Sequence, residues 1–174
     1  MVDDPTSYKL PMTIRQIVEY PAAVLLEPGE AVVNFDAELE ELVQGMFETM
    51  YDAEGVGLAA QQIGLPLRLF VMDCDGVKLV AANPEIVSVA GEQGGEEGCL
   101  SVGRVHAELR RPESVVLRAQ DVTGKTFEHE ASGLAARCFL HETDHNDGKL
   151  FITHLSPLKR DLVLRKFRKL QKNR

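Results

Sequence analysis

From Asp36 onward the apolar side chains Leu39, Leu42, Val43, Met46, Phe47 and Met50 recur at three- and four-residue intervals, one stripe of an amphipathic helix. Asp36 stands where an N-cap carboxylate would accept a hydrogen bond from the first turn. Gly55 and Gly57 then break the pattern, so Gly55 to Gln62 reads as a loop or strand whose backbone lies open to a close approach. Beyond Leu67 short β-branched runs take over: Leu69 to Met72, Lys78 to Ala81, Ile86 to Val89 and Val115 to Ala119. Separated by Gly, Pro, Asn and Asp, they predict antiparallel strands. Asp73-Cys74-Asp75-Gly76 and Asp121-Val122-Thr123-Gly124 suit hairpin turns. A second helix starts after a Ser132 cap, carries Leu134, Cys138, His141 and His145, and ends at Asn146 or Gly148. A third starts at Ser156-Pro157, with proline in the first helical position, and runs nearly to Arg174. Nothing alternates as βαβ and nothing repeats, so the class is α+β.

Composition sharpens this only a little. With 174 residues, 44% of them hydrophobic, the chain can bury one substantial core, and a single domain over residues 1–174 is expected. A net charge of -8 and a pI near 5.1 argue against a surface that grips nucleic acid throughout. The acidic start Met1-Val2-Asp3-Asp4-Pro5 does not resemble a secretory leader, and no apolar run approaches a membrane span. No membrane association is expected, and a cytoplasmic protein is the reading. Cys74, Cys99 and Cys138 are too few and too scattered for a disulfide scaffold.

The candidate chemistry sits on the second helix. In His141-Glu142-Thr143-Asp144-His145 two imidazoles lie one turn apart on one face, where both can reach the same ion. Water activated by a metal needs a carboxylate to take its proton, and Glu142 stands beside the first histidine. The same pattern also occurs in general metallopeptidases, and a surface helix can carry two histidines by chance. A third ligand is required. Cys138 shares the face but lies two turns, roughly 10 Å, from His145, too far for common ligation, and reads as packing. His106, His129, His154 and Cys74 have no distinctive context. Cys99, in Glu96-Glu97-Gly98-Cys99-Leu100-Ser101 behind Gly91, Gly94 and Gly95, sits where a loop can bring its sulfur to the helix.

Three segments together, Gly55-Val56-Gly57-Leu58-Ala59-Ala60-Gln61-Gln62, Glu97-Gly98-Cys99-Leu100-Ser101 and the histidine motif, resemble the peptide deformylase family. The likeness extends to Tyr20-Pro21, Arg111-Pro112, Gly148-Lys149-Leu150-Phe151 and Leu155-Ser156-Pro157-Leu158-Lys159. It implies antiparallel sheets around a central metal-binding helix, and an enzyme that removes the N-formyl group from the formylmethionine of nascent peptides, releasing formate. It implies Cys99, His141 and His145 as metal ligands, Glu142 as acid and base, and Gln62 and Leu100 as oxyanion donors. The metal would be Fe(II), with Zn, Ni or Co also acceptable to two imidazoles and a thiolate. Substrate would add as a strand beside Val56, Gly57 and Gly98, its methionine side chain entering a pocket walled by Leu134 and Cys138. Arg137 would lay its stem along the rim and send its charge to water.

Two positions depart from the family's pattern. Gly103 stands where proline commonly follows the cysteine motif, which predicts a loosened loop. Asn146 stands where an apolar residue follows the second histidine, which predicts altered packing at the helix end. The last helix carries Lys159, Arg160, Arg165, Lys166, Arg168, Lys169, Lys172 and Arg174 against Asp161 alone. It reads as a solvated amphipathic helix packing through Leu162, Val163, Phe167 and Leu170, or as a contact for the ribosome. The rival functions are a general metallopeptidase and a relative that binds N-terminal peptides without turnover.

Overall fold

The computed structural model describes residues 14–174, so the acidic start at Met1 to Pro5 lies outside the described residues. Helix α1 (Ala37–Asp52) begins as its sequence predicts, the Asp36 carboxylate accepting from the Leu39 N–H at 3.0 Å. Seven strands follow: β1 (Gly57–Ala59), β2 (Leu69–Cys74), β3 (Val77–Ala90), β4 (Glu96–Glu97), β5 (Ala107–Glu108), β6 (Ser114–Gln120) and β7 (Thr126–Ser132). Helices α2 (Gly133–Asn146) and α3 (Pro157–Lys172) complete the chain. Five strands form an antiparallel sheet in the order β1-β2-β3-β6-β7, and β4 pairs with β5 in a small second sheet.

The period-two pattern accounts for two of the core layers. On β2, Phe70 and Met72 face α2 and pack with Leu117 and Phe139, while Leu69 and Val71 face α1 and pack with Met46, Met50 and Leu58. Because both faces of β2 are covered, its sequence is apolar without alternation. A third cluster, with Leu25, Val102, Phe151 and Phe167, joins α3 to the loop that follows the cysteine motif.

The runs Lys78 to Ala81 and Ile86 to Val89 are not separate strands but halves of β3. Asn83-Pro84 forms a bulge, with Asn83 at φ +52° and the register to β6 shifting between Ala82 and Glu85. The Asn83 side chain holds the bulge by accepting from the Val32 N–H at 2.8 Å and donating to the Val32 carbonyl at 2.9 Å. The β2–β3 hairpin turns through Asp75 and Gly76, both at positive φ, as a two-residue turn demands.

Helix α2 lies across the sheet and carries the histidine motif. Ser132 occupies its N-cap position but makes no side-chain capping bond, contrary to expectation. The other end is closed firmly. Gly148 takes φ +78°, its N–H donates to the His145 carbonyl at 3.0 Å, and the Lys149 N–H donates to the Asp144 carbonyl at 2.8 Å. That double closure is a Schellman motif, and it fixes the turn that bears His145. On α3 the buried stripe is Val163, Leu164 and Phe167, whereas Leu162 and Leu170 stay about half exposed, which corrects the expected stripe.

Candidate metal centre and peptide cleft

His141 and His145 point from one face of α2, their ring centroids 5.0 Å apart. Cys99, extended at the start of the 3-10 turn Leu100–Val102, brings its Sγ to 3.3 Å from His145 Nε2. One ligand atom from each of Cys99, His141 and His145 lies within 4.8 Å of the others. Thiolate and imidazole donors held tetrahedrally at ~2.0 to 2.3 Å from an ion sit roughly 3.5 Å apart, so the donor set fits a single divalent metal. Cys138, read as packing, lies in the core between α2 and the sheet and makes no part of the trio. Its neighbour Cys74, together with burial, holds the Cys138 thiol well above its ordinary pKa.

Beneath the trio lies a buried polar cluster that spacing did not reveal. The Glu97 carboxylate accepts from Arg111 Nε at 3.1 Å, Arg111 Nη2 at 2.7 Å and Arg137 Nη1 at 3.2 Å, and it pairs with His141 Nδ1 at 2.9 Å. Arg111 also reaches Asp144 at 2.9 Å, and Asp144 pairs outward with His154 at 2.8 Å. Burial alone would raise the Glu97 pKa, but His141 and Arg111 outweigh it and hold the carboxyl far below the usual range. An ionised Glu97 fixes the His141 ring by its Nδ1 edge and leaves Nε2 for an ion, the usual arrangement around a metal-bound histidine. His145 differs: burial and the neighbouring His141 push its pKa well down, and its Nδ1 is buried without a partner among the described residues. A neutral ring there is the form a metal requires.

The sequence reading sent the charge of Arg137 to water, and the structure corrects it. The side chain is buried, donating to Glu97 and to the Leu109 carbonyl at 2.7 Å. A cationic group so placed carries no local signature; the charge of Glu97 on β4, forty residues away in sequence, makes it tolerable.

The cleft above these residues holds about 250 Å³ and is lined by Val56, Gly57, Gln62, Gly98, Cys99, Leu100, Leu134, Cys138, His141 and Glu142, among others. It thus gathers every predicted site residue except His145, whose Nε2 lies 3.3 Å from Cys99 Sγ. Glu142 is 3% exposed, and burial first, with repulsion from Glu97 and Asp144 against the attraction of His141, raises its pKa to about 7. Its Oε2 has no hydrogen-bond partner among the described residues. Gly57 is required here, since a Cβ would lie 2.5 Å from Glu142 Oε1. Gln62 is oriented through its own amide: Oε1 accepts from the Ala59 N–H at 3.0 Å, and Nε2 donates to Ser101 Oγ at 3.2 Å, on the Cys99 side. Asn146 donates to Gln61 Oε1 at 2.9 Å and to the Leu69 carbonyl at 3.3 Å, so this departure ties the end of α2 to the turn that bears Gln62. Gly103 is not a loosened point. It takes φ +60°, which proline cannot adopt, and lies so close to Phe167 of α3 that a Cβ would meet the ring at 2.7 Å.

Residues 14–161 match the family model described as polypeptide deformylase. The chain belongs to the peptide deformylase family. It is 49% identical over 166 residues to a peptide deformylase of Acidobacterium capsulatum, covering 92% of this chain and 98% of that one. It is 44% identical over 169 residues to the peptide deformylase of Bartonella quintana, covering 94% and 96%. Among solved structures, the peptide deformylase of Legionella pneumophila superposes with a TM-score of 0.88 at 48% identity, covering 91% of this chain and 96% of that one. That of Thermus thermophilus gives 0.83 at 39%, covering 90% and 94%. The α+β architecture is therefore that of known deformylases, and the activity is metal-dependent removal of the formyl group from the N-terminal formylmethionine of new polypeptides.

Proposed function

We propose that Cys99, His141 and His145 hold one divalent ion, natively Fe(II), with Zn, Ni or Co accepted by the same donors. When bound, the ion acidifies water and polarises the formyl carbonyl. The remaining steps fall to the chain's own groups. Glu142, buried and with its pKa near 7, takes the proton of the attacking water and returns it to the leaving amine. The Gln62 side-chain amide and the Leu100 N–H receive the formyl oxygen as charge grows on it. Leu100 opens a helical turn, where the first N–H groups have no partner within the helix.

The peptide lies extended between two sheets. β1 is the edge of the large sheet and β4 has β5 as its one strand partner, so each leaves an edge toward the cleft, beside Val56-Gly57 and Gly98. The methionine side chain enters against Leu134 and Cys138. We further place the protein in the cytoplasm as one domain spanning 1–174; no described helix is long and apolar enough to cross a membrane. The exposed cations of α3, among them Arg165, Arg168 and Lys172, would meet the ribosome. Replacing these three with serine should then weaken salt-sensitive ribosome binding, and unchanged binding would overturn that contact.

The convergence of the Cys99, His141 and His145 donors within 4.8 Å, beside the Glu142 carboxyl, carries this reading. Anaerobically purified Cys99→Ala and His145→Ala should each hold less than one Fe(II) per chain and release no formate from formyl-Met-Ala-Ser. Full metal content in either would overturn the ligand set. Hydrolysis of internal peptide amides in preference to the formyl amide would replace deformylation with general peptidase activity.

A further inference from the structure

Beyond the cleft, between the loop Gly103 to His106 and the C-terminal half of α3, runs a second groove whose walls include Arg104, His106, Lys166 and Lys169. Arg104 and His106 also line the cleft, so the two spaces share a wall. We propose that this groove extends the substrate site and binds acidic side chains several residues downstream of the formylmethionine, favouring nascent chains with acidic early sequences. The proposal rests on the deformylase reading and adds a specificity determinant to it.

Charge carries the inference. The chain has a net charge of -8, yet among the described residues no Asp or Glu lines this groove. Arg165 pairs with Asp161 and Arg174 with Glu19, whereas Lys166 and Lys169 meet no carboxylate within ion-pair distance among the described residues. Arg104 itself pairs with Glu54 at 3.8 Å, and the Glu54 side chain is 85% exposed, a weak pair that a peptide carboxylate can displace. The walls are also held in place. Gly103 packs on Phe167, a fully buried member of the α3 core, which fixes the Arg104 loop against the helix. Lys166 and Lys169 lie one turn apart on the helix, ~5 Å along it, a span that one extended strand covers in about two residues. A peptide leaving the cleft as a strand can therefore place two acidic side chains against both, at alternate positions that share one face of the strand.

The test compares formate release from formyl-Met-Ala-Ser-Asp-Ala-Asp, formyl-Met-Ala-Ser-Asn-Ala-Asn and formyl-Met-Ala-Ser-Lys-Ala-Lys, each ratio taken within one protein preparation so that active fraction cancels. The acidic peptide should exceed the basic one by about threefold to tenfold in kcat/KM at low salt, chiefly through KM, and the gap should close at high salt. Lys166→Glu with Lys169→Glu should reverse the order, and Lys166→Arg with Lys169→Arg should keep it. Equal kcat/KM for all three peptides would overturn the groove and leave deformylation standing. No formate from any peptide would overturn the deformylase reading with it. Loss of ribosome binding in the Glu variants with peptide order unchanged would assign the lysines to nucleic acid instead and also overturn the proposal.

Discussion

The cluster around Glu97 and the groove around Lys166 are both assemblies of charge, and they obey opposite rules. Under the metal centre, Glu97, Arg111, Arg137 and His141 are nearly sealed from water and partnered at 2.7–3.2 Å. On α3, Lys166 and Lys169 stand in solvent with no such partner among the described residues. Buried charge must be matched group for group, because removing one partner strands another where water cannot reach it. Exposed charge is forgiving, screened and individually weak. The first therefore sets a geometry, while the second can only bias a preference.

Cutting the buried cluster should have the largest effect. Glu97→Ala leaves Arg137 without its carboxylate and Arg111 with Asp144 alone, and chemical denaturation should show a loss of about 3–5 kcal/mol. Metal affinity should fall about tenfold to a hundredfold as His141 loses its anchor. A loss below 1 kcal/mol would show that the cluster relaxes or admits water. Next, Gln62→Ala should leave metal content unchanged and lower kcat by about a hundredfold to a thousandfold, the cost of one oxyanion donor. An effect confined to KM would make Gln62 a binding group only. Gly103→Ala sits between the two regions, and thermal unfolding should report about 1–3 kcal/mol lost from its left-handed backbone and its contact with Phe167. No loss would mean that the loop is as loose as its sequence suggests. At the other extreme, Lys166→Ala should change stability by less than about 0.5 kcal/mol, and a larger change would reveal a partner for that lysine.

The same contrast decides what could be read beforehand. The stripe of α1, the cap at Asp36 and the start of α3 at Ser156-Pro157 announce themselves because they are local, and the Asp36 and Ser156 side chains each accept from the first turn that follows. Cys99 and the two histidines were joined as candidate ligands through three motifs read together, and the structure brings their donor atoms within 4.8 Å; spacing alone left the third candidate open. Arg137 was misplaced because nothing near it in sequence shows the Glu97 charge that receives it. Asn83-Pro84 split one strand into two, since proline interrupts a ladder unless a bulge removes the need for its N–H. Gly103 was read by comparison with proline, whereas its left-handed φ and the ring of Phe167 decide its role. His106 and Arg104 lie in no motif, and their place on the wall shared by cleft and groove emerges only when the loop is folded against α3.

The central claim is that Cys99, His141 and His145 hold the metal while Glu142 moves the proton, two separable duties in one buried site. Its most direct test is formate release from formyl-Met-Ala-Ser by anaerobic, Fe(II)-loaded wild type and Glu142→Ala, with metal measured in the same samples. The account predicts equal metal content and turnover lower in the variant by about a hundredfold to ten-thousandfold. Full turnover by Glu142→Ala at equal metal content would contradict it.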